Sequence, residues 1–313
     1  MEALEILHGG TFTTIQDLGR KGYQQFGMPA AGALDITSLR LANRLVHNNA
    51  CQACLEITFI GLRILALRDI LIAVTGGNLM PKVNESPLPM WQTVPVRRNS
   101  SISFTGVRDG IRSYLAVAGG IWVPEVMGSK STYIRGGIGG VEGRPLMTGD
   151  RLHIGPPATG LPRCRVKEEL IPHYGREWKT RVIMGPQEDY FSRRGIEAFT
   201  SSEYTITPQS DRMGYRLQGP VIEHRREADI ISDATYLGSI QVPGHGLPII
   251  LLADRQTTGG YPKIATAISV DVYNLGQAKP EDRIRFFPIS ITEAHEVRRN
   301  YERHMESSME TLP

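Results

Sequence analysis

Many short apolar runs, separated by turn residues, constrain the fold of this chain more than any other feature. The runs are rich in β-branched and aliphatic residues, and glycine, proline or Asp-Gly pairs stand between them. Frequent short runs of this kind are typical of a β-barrel or a β-sandwich. The sequence therefore predicts a mainly β fold with minor α. The strands predicted in the first half are 3–7, 55–59, 62–67, 70–75, 90–96, 101–104, 112–118 and 150–154.

Three pairs of similar segments occur in the same order in the two halves of the chain. Residues 20–23 and 212–215 share Arg-x-Gly-Tyr, residues 149–152 resemble 281–284 more loosely, and a Gly-Gly pair follows an apolar strand in each half. Repetition in a fixed order indicates a divergent tandem duplication. The predicted organisation is a first half at 1–156, a linker at 157–175, a second half at 176–290, and a C-terminal helix and tail at 291–313.

Two helices have clear start signals. Asp35 is placed as the N-cap of a helix at 36–47, whose apolar residues recur at helical spacing. Ser290 and Glu293 form the pattern of a capping box, which predicts that the C-terminal helix begins there.

Composition excludes several classes of protein. A chain of 313 residues suggests about two domains. Its net charge is +3, and no cluster of basic residues interleaved with aromatic residues is present, which argues against nucleic-acid binding. The apolar runs are far shorter than the roughly 20 residues that span a bilayer, and the first ten residues lack the apolar region of a secretory signal. Three cysteines, an odd number, favour a reducing compartment, so a cytoplasmic location is expected.

Residues 119–149 form a glycine-rich excursion with nine glycines and little apolar periodicity. It is interpreted as a mobile lid or a long binding loop, or as a surface excursion without a role. Within it, Gly128-Ser129-Lys130-Ser131 superficially resembles a phosphate-binding loop. The required Gly-x-x-x-x-Gly-Lys spacing is absent, so no Walker-type site is predicted there.

Other familiar catalytic patterns have little support. Cys51 and Cys54 form Cys-x-x-Cys, but no second pair of ligands lies at a suitable spacing for zinc, and the pair enters a strand rather than opening a helix as a redox pair would. A structural role is preferred for both. The eight histidines form no metal-binding motif, and no Gly-x-Ser-x-Gly elbow is present.

A polar, glycine-containing loop between two predicted strands is the main candidate site. The apolar run 248–253 ends at Asp254, where five hydrogen-bonding side chains precede Gly259 and Gly260, and a second strand begins at Lys263. Loops held between rigid strands commonly carry binding sites. A tight, well-satisfied β-turn is an equally open interpretation.

Paired residues in the two halves extend this candidate site. Arg20 and Arg212 would each clamp a carboxylate or phosphate, and Tyr23 and Tyr215 would stack on a ring or donate a hydrogen bond. Asp254 would act as a base or position a nucleophile. Because the motif occurs in both halves, internal ion pairs that hold each half together are a comparable alternative.

Seven motifs occur in order between Thr14 and Pro262, within a resemblance that covers roughly residues 3–290. They are Thr14-Ile15-Gln16-Asp17-x-Gly19-Arg20-x-Gly22-Tyr23, Gly32-Ala33-x-Asp35, Arg112-Ser113-Tyr114-Leu115-Ala116-Val117-x-Gly119-Gly120, Gly128-Ser129-x-Ser131-Thr132, Asp211-Arg212-Met213-Gly214-Tyr215-Arg216-Leu217, Ile240-Gln241-Val242-Pro243 and Gln256-Thr257-Thr258-Gly259-Gly260-Tyr261-Pro262. Together they resemble the family of allophanate hydrolase subunit 2 and KipA. The resemblance implies tandem cyclophilin-like β-barrel domains. It also implies a 5-oxoprolinase hetero-complex, in which the chain works with a KipI-like B-type subunit plus an A-type subunit to hydrolyse 5-oxo-L-proline to L-glutamate with ATP.

Under this resemblance, the predicted catalytic residues are Asp254 as base and Arg212 and Lys263 as cations. ATP is expected in the complex, on a subunit that the sequence does not identify, and no metal is expected. The predicted substrate-binding residues are Arg20, Tyr23, Tyr215, Gln241, Thr257, Thr258, Gly259, Gly260 and Tyr261.

Two alternative functions remain open from the sequence. Another branch of the family forms the carboxyltransferase part of biotin-dependent urea carboxylase; this chain has no Met-Lys-Met site, so covalent biotin would be carried by another chain. KipA itself is a regulator, and a chain of this kind would oppose a KipI-type inhibitor of a histidine kinase by binding it.

Overall fold

The computed structural model describes residues 1–158 and 160–312, which form two compact units. The first unit contains Met1–Lys21, Ala31–Tyr174 and the C-terminal residues from His304 onward. The second contains Gly22–Ala30 and Gly175–Arg303. The C-terminal tail groups with the first unit because a strand at Met309–Thr311 pairs with one at Cys164–Val166. That second strand lies inside the segment predicted as a linker.

The first unit is built from short strands. In chain order they are β1 Glu2–Gly9, β2 Phe12–Gln16, β3 Cys54–Thr58, β4 Leu62–Ala66, β5 Ile70–Asn78, β6 Pro81–Val83, β7 Ser86–Pro87, β8 Thr93–Val96, β9 Ser101–Phe104, β10 Asp109–Val117, β11 Ile121–Trp122, β12 Arg151–Ile154 and β13 Cys164–Val166. Twelve of them form a seven-stranded sheet in the order β11-β12-β1-β4-β9-β6-β7 and a five-stranded sheet in the order β2-β3-β10-β5-β8, while β13 pairs with the strand at Met309–Thr311. Apolar side chains of both sheets, among them Ile6, Ile64, Leu55 and Leu115, meet in one buried core.

Helix α1, Ile36–Leu45, begins as the sequence predicted. The side chain of Asp35 accepts a hydrogen bond from the Ser38 backbone N–H at 2.9 Å and so satisfies a free N–H of the first turn. The helix ends two residues before the predicted position, and His47 has a positive φ of 57°. Its buried face includes Leu39, Ala42 and Leu45.

The second unit is a closed seven-stranded barrel with a small added ribbon. Its strands are β14 Glu177–Met184, β15 Glu203–Ile206, β16 Gly214–Gln218, β17 Asp233–Ala234, β18 Ser239–Gln241, β19 Ile249–Leu251, β20 Thr258–Gly259, β21 Lys263–Ala267 and β22 Arg283–Pro288, and β23 Met309–Thr311 follows in the first unit. The barrel order is β14-β21-β18-β19-β16-β15-β22, closed by parallel pairing of β22 with β14, and β17 pairs with β20 outside it.

Three helices complete the chain: α2 Arg193–Ser201, α3 Ser269–Leu275 and α4 Ile291–Glu306. The predicted capping box of α4 is confirmed, since the Ser290 N–H donates to the Glu293 carboxylate at 2.7 Å and the Glu293 N–H donates to the Ser290 hydroxyl at 3.2 Å. The predicted mainly β fold with minor α is also confirmed. Among the described residues, none of the helices is both long and apolar enough to cross a lipid bilayer.

Candidate functional site

The polar loop singled out in the sequence leaves the barrel at β19 and returns at β21. Its middle is fixed by pairing rather than left open, since β20 pairs with β17 in the register Asp233–Gly259 and Ala234–Thr258. On either side of the ribbon, the Ile230 N–H donates to the Gly260 carbonyl at 2.8 Å and the Thr235 N–H donates to the Thr257 carbonyl at 3.0 Å. The segment 230–235 therefore forms one wall of the loop, which no local pattern in the sequence indicated.

Arg212 and Asp254 form a buried, two-pronged ion pair. The Nε and Nη2 of Arg212 each donate to one carboxylate oxygen of Asp254 at 3.0 Å. Both side chains are about nine-tenths buried. The pairing matches the preferred geometry of a guanidinium and a carboxylate. The structure thus brings together two of the three predicted catalytic residues, and both carboxylate oxygens of Asp254 accept hydrogen bonds from Arg212.

Lys263 is fully buried, and Asp233 neutralises its charge. The Lys263 ammonium donates to the Asp233 carboxylate at 2.6 Å and to the Ala234 carbonyl at 3.1 Å. Gln187 joins them, since its side-chain amide donates to Asp233 at 3.3 Å and its oxygen accepts from the Lys263 backbone N–H at 3.1 Å. The hydrogen bond from Lys263 is the main cause that holds the pKa of Asp233 below its ordinary value. Sequence reasoning missed Asp233 and Gln187 because they lie 30 and 76 residues from Lys263.

Gln241 is a second polar contact of the loop. Its side-chain N–H donates to the Tyr261 carbonyl at 3.2 Å, and its oxygen accepts from the Gln256 side chain at 3.4 Å. A Cβ on Gly259 would lie 2.5 Å from the Gln241 side-chain nitrogen, so any larger residue there would displace the Gln241 amide. Of the other predicted binding residues, Thr258 is exposed and Tyr261 is 41% exposed.

The two tyrosines of the repeated motif have different environments. Tyr215 lies in the barrel core, where its hydroxyl donates to the carbonyls of Leu275 and Ala278, both at 3.0 Å. Tyr23 is half-buried and belongs to the segment Gly22–Ala30, which groups with the second unit. The repeated Arg-x-Gly-Tyr pattern therefore does not mark two equivalent tyrosine sites.

In the first unit, Arg20 is fully buried beneath the glycine-rich excursion. Its guanidinium donates to the carbonyls of Val126, at 3.3 Å, and Ser131. Asp17 lies at the same excursion, where it accepts from the Ser129 hydroxyl at 2.7 Å and the Lys130 N–H at 2.6 Å. The stretch that resembled a phosphate loop thus encloses an internal carboxylate.

The glycine-rich excursion also borders a cavity of about 520 Å³. Its wall includes the backbone of several glycines, and Trp122 and His153 face each other edge-on with ring centroids 6.4 Å apart. The excursion is fixed to β2, since the Thr132 N–H donates to the Ile15 carbonyl and the Leu146 N–H to the Thr13 carbonyl, each at 2.9 Å. The structure therefore describes a folded wall along β2.

The cysteines carry no sign of a metal or redox site. Cys54 is fully buried in β3, and this burial raises the pKa of its thiol far above the ordinary value, while Cys51 is exposed. Within residues 1–158 and 160–312, no group of three or more His, Cys, Asp or Glu side chains is arranged to hold a metal ion.

Taken together, the second unit gathers buried cations, carboxylates and amides around one glycine-containing loop of a β-barrel. Such a set can bind a small polar or anionic substrate and stabilise negative charge in a shielded environment. These properties fit the binding or catalytic site of a group-transfer or hydrolytic enzyme.

The comparisons with known proteins agree with this class. A family model described as "Carboxyltransferase domain, subdomain A and B" matches residues 26–288, and the chain belongs to this family. It is 39% identical to the C-type 5-oxoprolinase subunit of Escherichia coli strain K12 over 303 residues, covering 97% of this chain and 96% of the relative. The C-type 5-oxoprolinase subunit of Haemophilus influenzae is 34% identical, with coverages of 97% and 96%.

A solved structure gives the same result for the fold. The crystal structure of the Kluyveromyces lactis urea amidolyase superposes with a TM-score of 0.92 at 31% identity. The match covers 97% of this chain and 20% of the urea amidolyase. This chain thus corresponds to about a fifth of that larger protein.

Proposed function

We propose that this chain is a subunit of an ATP-dependent 5-oxoprolinase, which hydrolyses 5-oxo-L-proline to L-glutamate together with a KipI-like B-type subunit plus an A-type subunit. The observation that carries the proposal is the 39% identity to the C-type 5-oxoprolinase subunit of E. coli, which extends over 97% of this chain and 96% of that relative. The likeness therefore runs along nearly the whole of both chains rather than one shared segment. The chain acts within the complex, and its expected location is the cytoplasm.

The chemistry of the reaction explains why buried cations are needed. A lactam resists attack by water, and ATP supplies the driving force by phosphorylating the lactam oxygen, which makes the ring carbon more electrophilic. Groups that stabilise negative charge act most strongly when they are buried and already in place. Lys263 fits this requirement in the second unit, since it is fully buried and fixed by Asp233 and the Ala234 carbonyl.

Asp254 is assigned a positioning role in this proposal. Both of its carboxylate oxygens accept hydrogen bonds from Arg212, so the carboxylate is held in a fixed orientation against the guanidinium. The pair fixes the start of the polar loop where it leaves β19. Gln241, Gln256 and the Tyr261 carbonyl then hold the far side of the loop for the substrate.

The test is 5-oxoproline-dependent ATP hydrolysis by three separately purified subunits, with and without this chain. The proposal expects turnover only when all three are present. A complete set of partners that works equally well without this chain would contradict it, and a change in partner binding alone would favour the regulatory function.

The second candidate is a carboxyltransferase component of a biotin-dependent urea carboxylase. The structural similarity to the K. lactis urea amidolyase, with a TM-score of 0.92, favours it. Its test is carboxylation of urea in the presence of a separately biotinylated carrier protein. Carboxyl transfer that depends on this chain, without 5-oxoproline-dependent ATP hydrolysis, would replace the first proposal with the second.

A further inference from the structure

Arg255 is a buried cation without a carboxylate partner among the described residues. It lies in the turn after β19 with only 6% of its surface exposed. Its Nη1 donates to the Leu252 carbonyl at 3.3 Å, and its buried Nε has no hydrogen-bond partner within that part of the chain. Across residues 1–158 and 160–312, no carboxylate forms a salt bridge with it. Buried charges in proteins are normally paired, because taking an unpaired charge out of water is costly.

The lowered pKa of Arg255 agrees with its burial away from any carboxylate partner among the described residues. Burial lowers the pKa of Arg255 to about 10, and this desolvation is the cause of the shift. An arginine whose pKa is lowered to this value remains charged at neutral pH. It is therefore a permanent positive charge held in a poorly solvated position.

Arg212, in the same unit, shows how a guanidinium behaves when a carboxylate is available. Its Nε and Nη2 hold the two oxygens of Asp254 at 3.0 Å each. The same Nε–Nη2 edge of Arg255 makes no hydrogen bond to any residue in 1–158 or 160–312. Since this edge matches the spacing of carboxylate oxygens, it is a preformed donor pair for an anion.

The charges around the polar loop single out Arg255 as the anion receptor. Asp254 neutralises Arg212, and Asp233 neutralises Lys263. The sequence had assigned the carboxylate clamp to Arg212, yet that arginine already holds a carboxylate of the protein. Arg255 is the cation of this loop whose Nε–Nη2 edge is not bonded to another residue in the described part of the chain.

We infer that Arg255 binds the carboxylate of a small anionic substrate through its Nε and Nη2 and thereby sets substrate specificity. This inference rests on the proposed function, because 5-oxoproline carries one carboxylate beside its lactam ring. The neighbouring Gln256 and Gln241 amides offer neutral hydrogen-bonding groups suited to the lactam. Arg255 is thus a binding residue that selects an acidic lactam over a neutral one.

The first experiment measures thermal unfolding of the full chain with three probes: L-5-oxoproline, its neutral carboxamide and inorganic phosphate. Arg255→Gln is compared with the wild type and with Arg216→Gln, which replaces an exposed arginine on β16 as a control. The expected result is that 5-oxoproline raises the melting temperature of the wild type and of the control but not of Arg255→Gln. The carboxamide should raise none of them.

The same experiment also tests a purely structural role for Arg255. Without ligand, Arg255→Gln should melt at the wild-type temperature or above it, because the substitution removes a desolvated charge and no ion pair. A markedly lower melting temperature, or the same response to 5-oxoproline in Arg255→Gln and wild type, would overturn the inference. So would a wild type that responds to none of the probes, or one that responds to phosphate alone.

The second experiment uses the assembled complex and separates this inference from the proposed function. Arg255→Gln should raise KM for 5-oxoproline by about 10- to 100-fold, the effect of losing a charge-assisted hydrogen-bonded pair, with a smaller change in kcat. Arg255→Lys should give an intermediate KM, and Arg216→Gln should match the wild type. If the wild-type complex does not turn over 5-oxoproline, the proposed function fails, while the melting experiment still decides whether Arg255 binds a carboxylate. An unchanged KM in an active Arg255→Gln complex would overturn the inference alone.

Discussion

Removing one member of the Arg212–Asp254 pair distinguishes a positioning role for Asp254 from a base role. Both side chains are about nine-tenths buried, and two hydrogen bonds of 3.0 Å join them. Asp254→Asn keeps the size of the side chain but removes the negative charge that is paired with the Arg212 guanidinium. Breaking a buried pair in this way costs about 3–5 kcal/mol of the free energy of unfolding, a large part of the roughly 5–15 kcal/mol that a typical domain has.

A double-mutant cycle measures this interaction. Urea unfolding is followed for Asp254→Asn, Arg212→Met and the double variant. The double variant should lose less stability than the sum of the two singles, with a coupling energy of about 2–3 kcal/mol, because it contains neither member of the buried pair. Single variants that each cost less than about 1 kcal/mol, or effects that simply add, would show that the two side chains do not form a stabilising buried pair.

The same variants in the assembled complex test the chemistry. A positioning role predicts that Asp254→Asn loses less than about tenfold in kcat at a temperature where the variant is folded. A general base contributes about 100- to 10,000-fold. A loss in that range by a fully folded Asp254→Asn complex would restore Asp254 to the base role that the sequence predicted.

Three further predictions concern other parts of the chain. Iodoacetamide should label Cys51 rapidly and Cys54 only on unfolding, because burial raises the pKa of the Cys54 thiol; mass spectrometry that found equal labelling would contradict this. Gly139→Ala should cost more than about 3 kcal/mol of the free energy of unfolding, because the new Cβ would lie 2.0 Å from a carbonyl oxygen. Gly149→Ala should cost about 1–2 kcal/mol for its positive φ alone, because no atom lies within 4 Å of the new Cβ. Similar urea midpoints for the two variants would count against the fold of the excursion. Because the folded-state pKa of Asp233 is lowered, its contribution to stability should be fully present above about pH 5 and decline as the pH falls below about 4; a wild-type advantage over Asp233→Asn that persists unchanged at pH 3 would show that the carboxylate is not the source.

Local signals in the sequence were sufficient for several elements of the fold, although strands such as β2 and β13 were not predicted. Asp35 and the Ser290–Glu293 pair marked two helix starts because capping depends on residues within three positions of each other. Short apolar runs marked the strands for a similar reason, since burial alternates or continues within a few residues. The polar loop after β19 was recognised as well, because a buried strand that ends in hydrogen-bonding residues and glycines is itself a local pattern.

The partners inside the candidate site were not predictable in the same way. Lys263 pairs with Asp233 across 30 residues, and Arg212 pairs with Asp254 across 42. Such pairs depend on which strands become neighbours in the barrel and in the β17–β20 ribbon, and the spacing of residues along the chain does not indicate that. Arg255 was missed for a related reason: in the described part of the chain no carboxylate is bonded to it, because the adjacent Asp254 is paired with Arg212, and only the packed structure can show this.

The role of this chain and of its buried lysine is tested by 5-oxoproline-dependent ATP hydrolysis in the assembled three-subunit complex, containing either the wild-type chain or Lys263→Met. The variant keeps a long side chain but removes the buried ammonium that Asp233 and Ala234 hold in place. The account predicts that activity requires this chain and falls at least about 100-fold with Lys263→Met, while size-exclusion chromatography shows an intact complex. Full activity without the chain, or with Lys263→Met in an intact complex, would contradict it.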